Sequence, residues 1–143
     1  MAEILRVEIP WYELNDDSDP AWRTNFCLYA YLHPDRNWLL YIGKADYQTL
    51  RQRLHGDHKA ELFNYLCRTY DVNYLRILQG DLVLEAGRRR SSELLSLVES
   101  LLIMRLQPPG NIACTRSRAY RPGLRVRCTG DWPIKRAGFY DWD

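Results

Sequence analysis

Six side chains of this chain are of the types that move protons and hold anions: the phenols of Tyr31 and Tyr41, the ammonium of Lys44, the guanidinium of Arg51, the imidazole of His55 and the carboxylate of Glu99. A free phenol titrates near ~10 and is a poor base at neutral pH, but nearby positive charge such as Lys44 and Arg51 favours the phenolate. Glu99 raises a different question. It is the only ionisable residue in the apolar run 94–104, and burying an unpaired carboxylate is costly. It must therefore reach a groove, pair with a cation, or hold a bound ion. By themselves the tyrosines read as strand residues packing in a core, Arg51 as a surface arginine, Lys44 as a solvated lysine and Glu99 as half of a structural ion pair.

The elements that would bring these groups together follow from the local pattern. Residues 26–33 and 38–43 are rich in Tyr, Leu, Ile and Trp and are separated by His33-Pro34-Asp35-Arg36-Asn37, so they predict a hairpin with Tyr31 and Tyr41 on adjacent strands. Gly43-Lys44-Ala45-Asp46 breaks the second strand, and Asp46 is placed to cap a helix with Tyr47, Leu50 and Leu54 on its apolar face. Arg51 and His55, four apart, share a neighbouring face. A second helix is expected over 59–70, with Leu62, Phe63, Leu66 and Tyr70 inward, and a strand over 72–78. A long helix from Ser91 or Ser92 to about Leu106 stops at Pro108-Pro109-Gly110. Leu5, Val7, Ile9 and Trp11 alternate with polar residues, which predicts an extra N-terminal strand ending near Pro10 that could add an edge to the sheet. Residues 113–120 and 124–129 have the character of a basic hairpin, and the aromatic tail from Trp132 should pack onto the domain. The expected fold is α+β: a small central mixed or antiparallel three-stranded sheet, in the order β-β-α-α-β-α, flanked by helices.

At 143 residues the chain makes a single domain with a real core. No run is long and apolar enough for a membrane helix, and the N-terminal residues carry no secretion signal. Cys27, Cys67, Cys114 and Cys128 show no C-x-x-C pairing, so a reduced, cytoplasmic setting is expected. His55-Gly56-Asp57-His58 lacks cysteines at ligand spacing and does not read as a zinc site. The net charge of +2 is small, yet polarised. The acidic N-terminal extension, 1–25, holds six acids and two arginines, and the basic, aromatic C-terminal extension, 112–143, holds seven bases and three aspartates. Such polarity fits two ends that pair with each other, and equally a protein that meets phosphate on one side.

Two ordered blocks give a resemblance. Tyr29-Ala30-Tyr31 and Tyr41-Ile42-Gly43 have their last and first tyrosines ten positions apart, and Arg51 follows Tyr41 by ten more. Later, Glu99-Ser-Leu-Leu-Ile103 precedes Pro108 and Asn111. Over residues 26–111 the chain resembles the catalytic core of the GIY-YIG nuclease superfamily, as a small single-domain member in which Tyr29 stands in place of the first glycine.

The resemblance implies a metal-dependent DNA endonuclease, with RNA left open, that leaves 5′-phosphate and 3′-hydroxyl ends. In it Glu99 holds one divalent ion, Mg²⁺ or Mn²⁺, of which Mg²⁺ suits a single carboxylate plus waters. Tyr41 draws the proton from the attacking water, Tyr31 orients it, and Lys44 is rival or partner in that traffic. Arg51 forks onto the scissile phosphate, His55 lies near it, and Gly43 and Asn111 are structural. Arg88, Arg89, Arg90, Arg116, Arg118, Arg125 and Arg127 are candidate contacts to the nucleic-acid backbone, which position a duplex without reading sequence. So small a chain leaves target choice to its basic segment, to DNA shape, to a homodimer or to a protein partner. Two other expectations stand beside this one: a nucleic-acid-binding module without turnover, and a nuclease subunit active only in a complex.

Overall fold

A computed structural model describes residues 3–114, 121–135 and 138–142. Its elements are β1 (Leu5–Glu13), β2 (Phe26–Leu32), β3 (Leu39–Asp46), α1 (Leu50–Leu54), α2 (Asp57–Tyr70), β4 (Arg76–Gly80), β5 (Val83–Leu84), α3 (Ser92–Leu106), β6 (Leu124–Gly130) and β7 (Phe139–Asp141), with 3-10 turns at Pro20–Arg23 and Pro109–Cys114. The fold is mixed α+β. The strands form one sheet in the order β3-β2-β4-β1-β6-β7, with β5 also on β1.

The antiparallel trio β3-β2-β4 corresponds to the expected three strands, but the sheet is larger. β1 is an interior strand, antiparallel to β4 and β5 on one side and parallel to β6 on the other. It runs through Pro10, which falls opposite the break between β4 and β5 where the ladder on that side is interrupted, so the missing N–H is tolerated. The acidic and basic ends therefore lie side by side, with Glu8 opposite Arg127. The expected partner of residues 124–129 was 113–120, of which 115–120 lie outside the described residues. β6 pairs instead with β1 and, antiparallel, with β7.

Strand alternation divides the core in two. Leu28, Ala30, Leu32, Ile42, Leu78 and the buried side of β1 and β6 meet α3, an all-round apolar helix capped by Ser91, whose side chain accepts from Leu94 N–H. Trp132 belongs to this layer and stacks on Trp11 at 4.9 Å, so the tail packs onto the domain. On the opposite face Cys27, Tyr29, Tyr31, Tyr41 and Ala45 meet Leu50, Leu54 and Leu66 of α1 and α2.

Local expectations shift at three places. β3 continues to Asp46, which pairs with Phe26 and caps nothing. Thr49 caps α1 in a reciprocal box with Gln52. Tyr47 stands between them at φ 60° and is 90% exposed, not on an apolar face. α2 begins two residues early at Asp57, and β4 is Arg76–Gly80, later than the expected 72–78.

Candidate active site

The β2–β3 register sets Tyr31 directly opposite Tyr41 and Tyr29 opposite Gly43. The three rings form a triangle with centroids 5.7 to 5.9 Å apart. Gly43 makes this triangle fit, because a Cβ there would lie 2.5 Å from Tyr29 Cζ and Oη. Burial holds the phenols of Tyr29 and Tyr31 well above the usual range, the neighbouring tyrosines adding to the shift and Arg53 opposing it. Both stay neutral near pH 7. Tyr41 is placed differently: Lys59, from the first turn of α2, donates a hydrogen bond of 2.5 Å to its hydroxyl and lies 4.7 Å from its ring centroid.

Lys44 projects from the opposite face of β3, where its ammonium donates to Ser96 Oγ on α3. Glu99 sits three residues beyond Ser96, on the same side of that helix. Because β3 is the outer strand of the sheet, groups from both faces meet past its edge. Burial raises the pKa of Glu99 above the ordinary carboxyl value, while Lys44 first, then Lys59 and Arg53, pull it back. Among the described residues none of these cations forms an ion pair with it. Nε of Arg53 is buried without a hydrogen-bond partner among the described residues. A buried donor without a partner, on a residue whose charge acts on Glu99, is the kind of group that an anion satisfies.

From the expected set the structure thus sets Tyr31 beside Tyr41 and Lys44 near Glu99, with Lys59 acting on both groups. Arg51 and His55 lie elsewhere: the Arg51 guanidinium donates to the Asp17 carbonyl and sits 5.2 Å from the Trp22 ring centroid, and His55, the exposed C-terminal cap of α1, stacks on the same indole at 5.8 Å. Arg53 and Lys59 are the cations that act on Glu99 together with Lys44 instead. On the wheel of α1, Arg51 and Arg53 flank the buried pair Leu50 and Leu54 symmetrically, so periodicity could not choose between them. Lys59 did carry a signal. It precedes Leu62, Phe63 and Leu66 by three, four and seven residues, which puts a lysine on the inward face of α2.

Asn111 closes the outer edge of β3: its Oδ1 accepts from Ile42 N–H and its Nδ2 donates to the Ile42 carbonyl, both at 2.9 Å, as a neighbouring strand would. The arginines divide. Arg90 lies over Phe26, at the Asp46 end of the hairpin, while Arg88 pairs with Glu3 and Arg89 is exposed. Arg125 pairs with Asp141 at 2.8 Å and Arg127 lies over Phe139. These two are on β6, four strands from β3, or about 19 Å across the sheet. Arg116 and Arg118 lie outside the described residues.

Among the described residues no three His, Cys, Asp or Glu side chains converge. A divalent ion here would take Glu99 as its one protein carboxylate and complete its shell with water and ligand oxygens, a pattern that fits Mg²⁺. Three cations acting on one carboxylate leave its surroundings positive, suited to an anion that arrives with such an ion. Cys27, Cys67 and Cys128 are free, the first and last with thiols pushed up to about 12 by burial. No helix among the described residues is long and apolar enough to cross a membrane. Comparison of the chain with protein-family models, curated proteins and solved structures found no match.

Proposed function

We propose that this chain is a metal-dependent endonuclease of the GIY-YIG type, hydrolysing phosphodiester bonds in DNA. The observation that carries the reading is Glu99: a half-buried carboxylate without an ion pair among the described residues, subject to the charges of Lys44, Lys59 and Arg53, the second of which also holds the Tyr41 hydroxyl. A merely structural glutamate would pair directly with one of three available cations.

Within this reading β2, β3, β4 and the three helices make the catalytic core. Glu99 would hold the divalent ion, whose positive charge offsets the charge that builds on the phosphate and the leaving oxygen. Arg53 and Lys44 bind the non-bridging phosphate oxygens, with Arg53 in the forked role first assigned to Arg51. Tyr41, as the phenolate that the adjacent Lys59 ammonium favours, receives the proton of the attacking water and becomes the neutral phenol as the new phosphorus–oxygen bond forms. Tyr31 and Tyr29, both neutral, wall the phenol and keep its rotamer fixed. Arg90 guides the strand toward the pocket from the Lys44 end.

Incubating the purified chain with branched, nicked and linear DNA, with Mg²⁺ or with EDTA, tests this. Metal-dependent nicking that disappears in Glu99→Gln and Tyr41→Phe is the expected result. Binding without cleavage in any metal would instead support a module that has no turnover, and cleavage only with a co-purified protein would make the chain a subunit.

A further inference from the structure

The turn that joins β2 to β3 carries a second site that the hydrolytic pocket does not use. The hairpin closes with the His33 N–H donating to the Trp38 carbonyl, and the buried His33 ring meets Trp38 edge-on at 5.2 Å and Tyr70 at 6.1 Å. Trp38 is nevertheless 47% exposed, with the Arg36 guanidinium 4.8 Å from its ring centroid. Beside it opens a groove of about 320 Å³ between the hairpin, the end of α2 and the 3-10 turn after α3. Trp38 and Tyr70 form its aromatic wall, Leu106, Pro109 and Ile134 its aliphatic floor, and Asn37 offers an amide at the rim. Among the described residues no ionised side chain lines it.

We infer that this groove receives one unpaired nucleobase of the strand being cut, an inference that rests on the nuclease reading of the neighbouring pocket. A planar, partly apolar ring matches an indole wall and an aliphatic floor, and stacking of this kind tolerates any base. The Asn37 amide has the donor and acceptor needed to meet a base edge. Arg36 stands where the phosphate attached to that base would run. The distance also fits. Trp38 precedes Tyr41 by three residues of extended chain, about 10 Å, and Leu106 follows Glu99 by seven residues of helix, again about 10 Å. That is roughly three stacked nucleotide steps at ~3.4 Å. A base paired within a duplex cannot offer its face to such a groove, so the preferred substrate has a flap, overhang or branch next to the cut.

The test uses the full chain in EDTA, where binding is read without cleavage. The probes are a duplex with a single-stranded overhang carrying 2-aminopurine at successive positions, and the same sequence fully paired. Trp38→Ala should weaken overhang binding about tenfold and leave duplex binding unchanged. 2-Aminopurine fluorescence should be quenched by the native protein at one or two positions and restored in the variant, while Trp38→Phe retains the quench. Asn37→Ala, at an exposed position, should diminish the quench and keeps the test decisive should Trp38→Ala fold poorly. Equal binding of the overhang by native protein and both alanine variants overturns the inference, as does an equal loss for overhang and duplex. Duplex cleavage with no quench at any position overturns it alone, and no binding of either DNA overturns the nuclease reading with it. Binding of a proline-rich peptide that Trp38→Ala abolishes, with no effect on the oligonucleotides, would assign the groove to a protein partner and also overturn it.

Discussion

At the scale of single residues, Glu99 couples stability to pH and to divalent ions. Its folded form holds the proton more tightly than the unfolded chain does, since burial outweighs Lys44, Lys59 and Arg53. That preference stabilises the fold below the ordinary carboxyl value of 4.5 and is lost as pH rises through the elevated folded value. At neutral pH the ionised carboxylate is a net burden. Glu99→Gln should therefore raise the melting temperature near pH 7.5 and change it little below about pH 4, as differential scanning fluorimetry at the two pH values would read. Millimolar Mg²⁺ should raise the melting temperature of the native chain and not that of Glu99→Gln. No effect of the ion on either protein would remove Glu99 as its ligand. The pairing of Tyr31 with Tyr41 across the hairpin was legible from residue type and spacing. Arg53 was not, because it and Arg51 flank the same two leucines, and only the packing of Pro20–Arg23 against α1 decides which arginine is drawn off to Trp22.

At the scale of elements, two devices set up the pocket. The first is Asn111, which satisfies the outer N–H and C=O of Ile42 and so holds the edge strand that carries Tyr41. Asn111→Ala leaves both groups without their partner and should cost about 2–3 kcal/mol in chemical denaturation, and Asn111→Asp, which buries an unpaired carboxylate with one oxygen against the Ile42 carbonyl, should cost at least as much at neutral pH. The second is the turn between β3 and α1. Tyr47 holds φ 60° with its side chain in water, a conformation that costs ~1–2 kcal/mol for most residues and less for asparagine. Tyr47→Asn should thus stabilise the fold by about 0.5–1 kcal/mol; a destabilisation would show that the ring makes a contact of its own. This turn was partly readable: Thr49-x-x-Gln52 is a capping box visible in the sequence. Asp46 was the more conspicuous cap residue, and only its pairing with Phe26 shows that it belongs to the strand.

At the scale of the whole molecule, the hairpin, the helices and the strand after them follow from local composition, turn residues and caps. The rest of the sheet does not. β1 alternates like any half-buried strand, and nothing local says that it inserts between β4 and β6 instead of adding to an edge. That placement comes from long-range charge and packing: Glu8 opposite Arg127, and Trp11 stacked on Trp132. It has a consequence. Removing residues 1–19 would strip the centre of the sheet and not an appendage, so the truncated chain should lack a cooperative thermal transition by circular dichroism, and a cooperatively folded truncation would contradict the topology. The same architecture makes the pocket depend on β3 being the outer strand, where α1, α2 and α3 can all reach one point. The most direct test of that convergence is the single-turnover rate of Mg²⁺-dependent DNA nicking by Arg53→Ala beside Arg51→Ala. A loss of about 10²–10³ in the first, with the second within a few-fold of the native rate, is the predicted result. Full activity in Arg53→Ala, with the loss falling on Arg51→Ala, would contradict it.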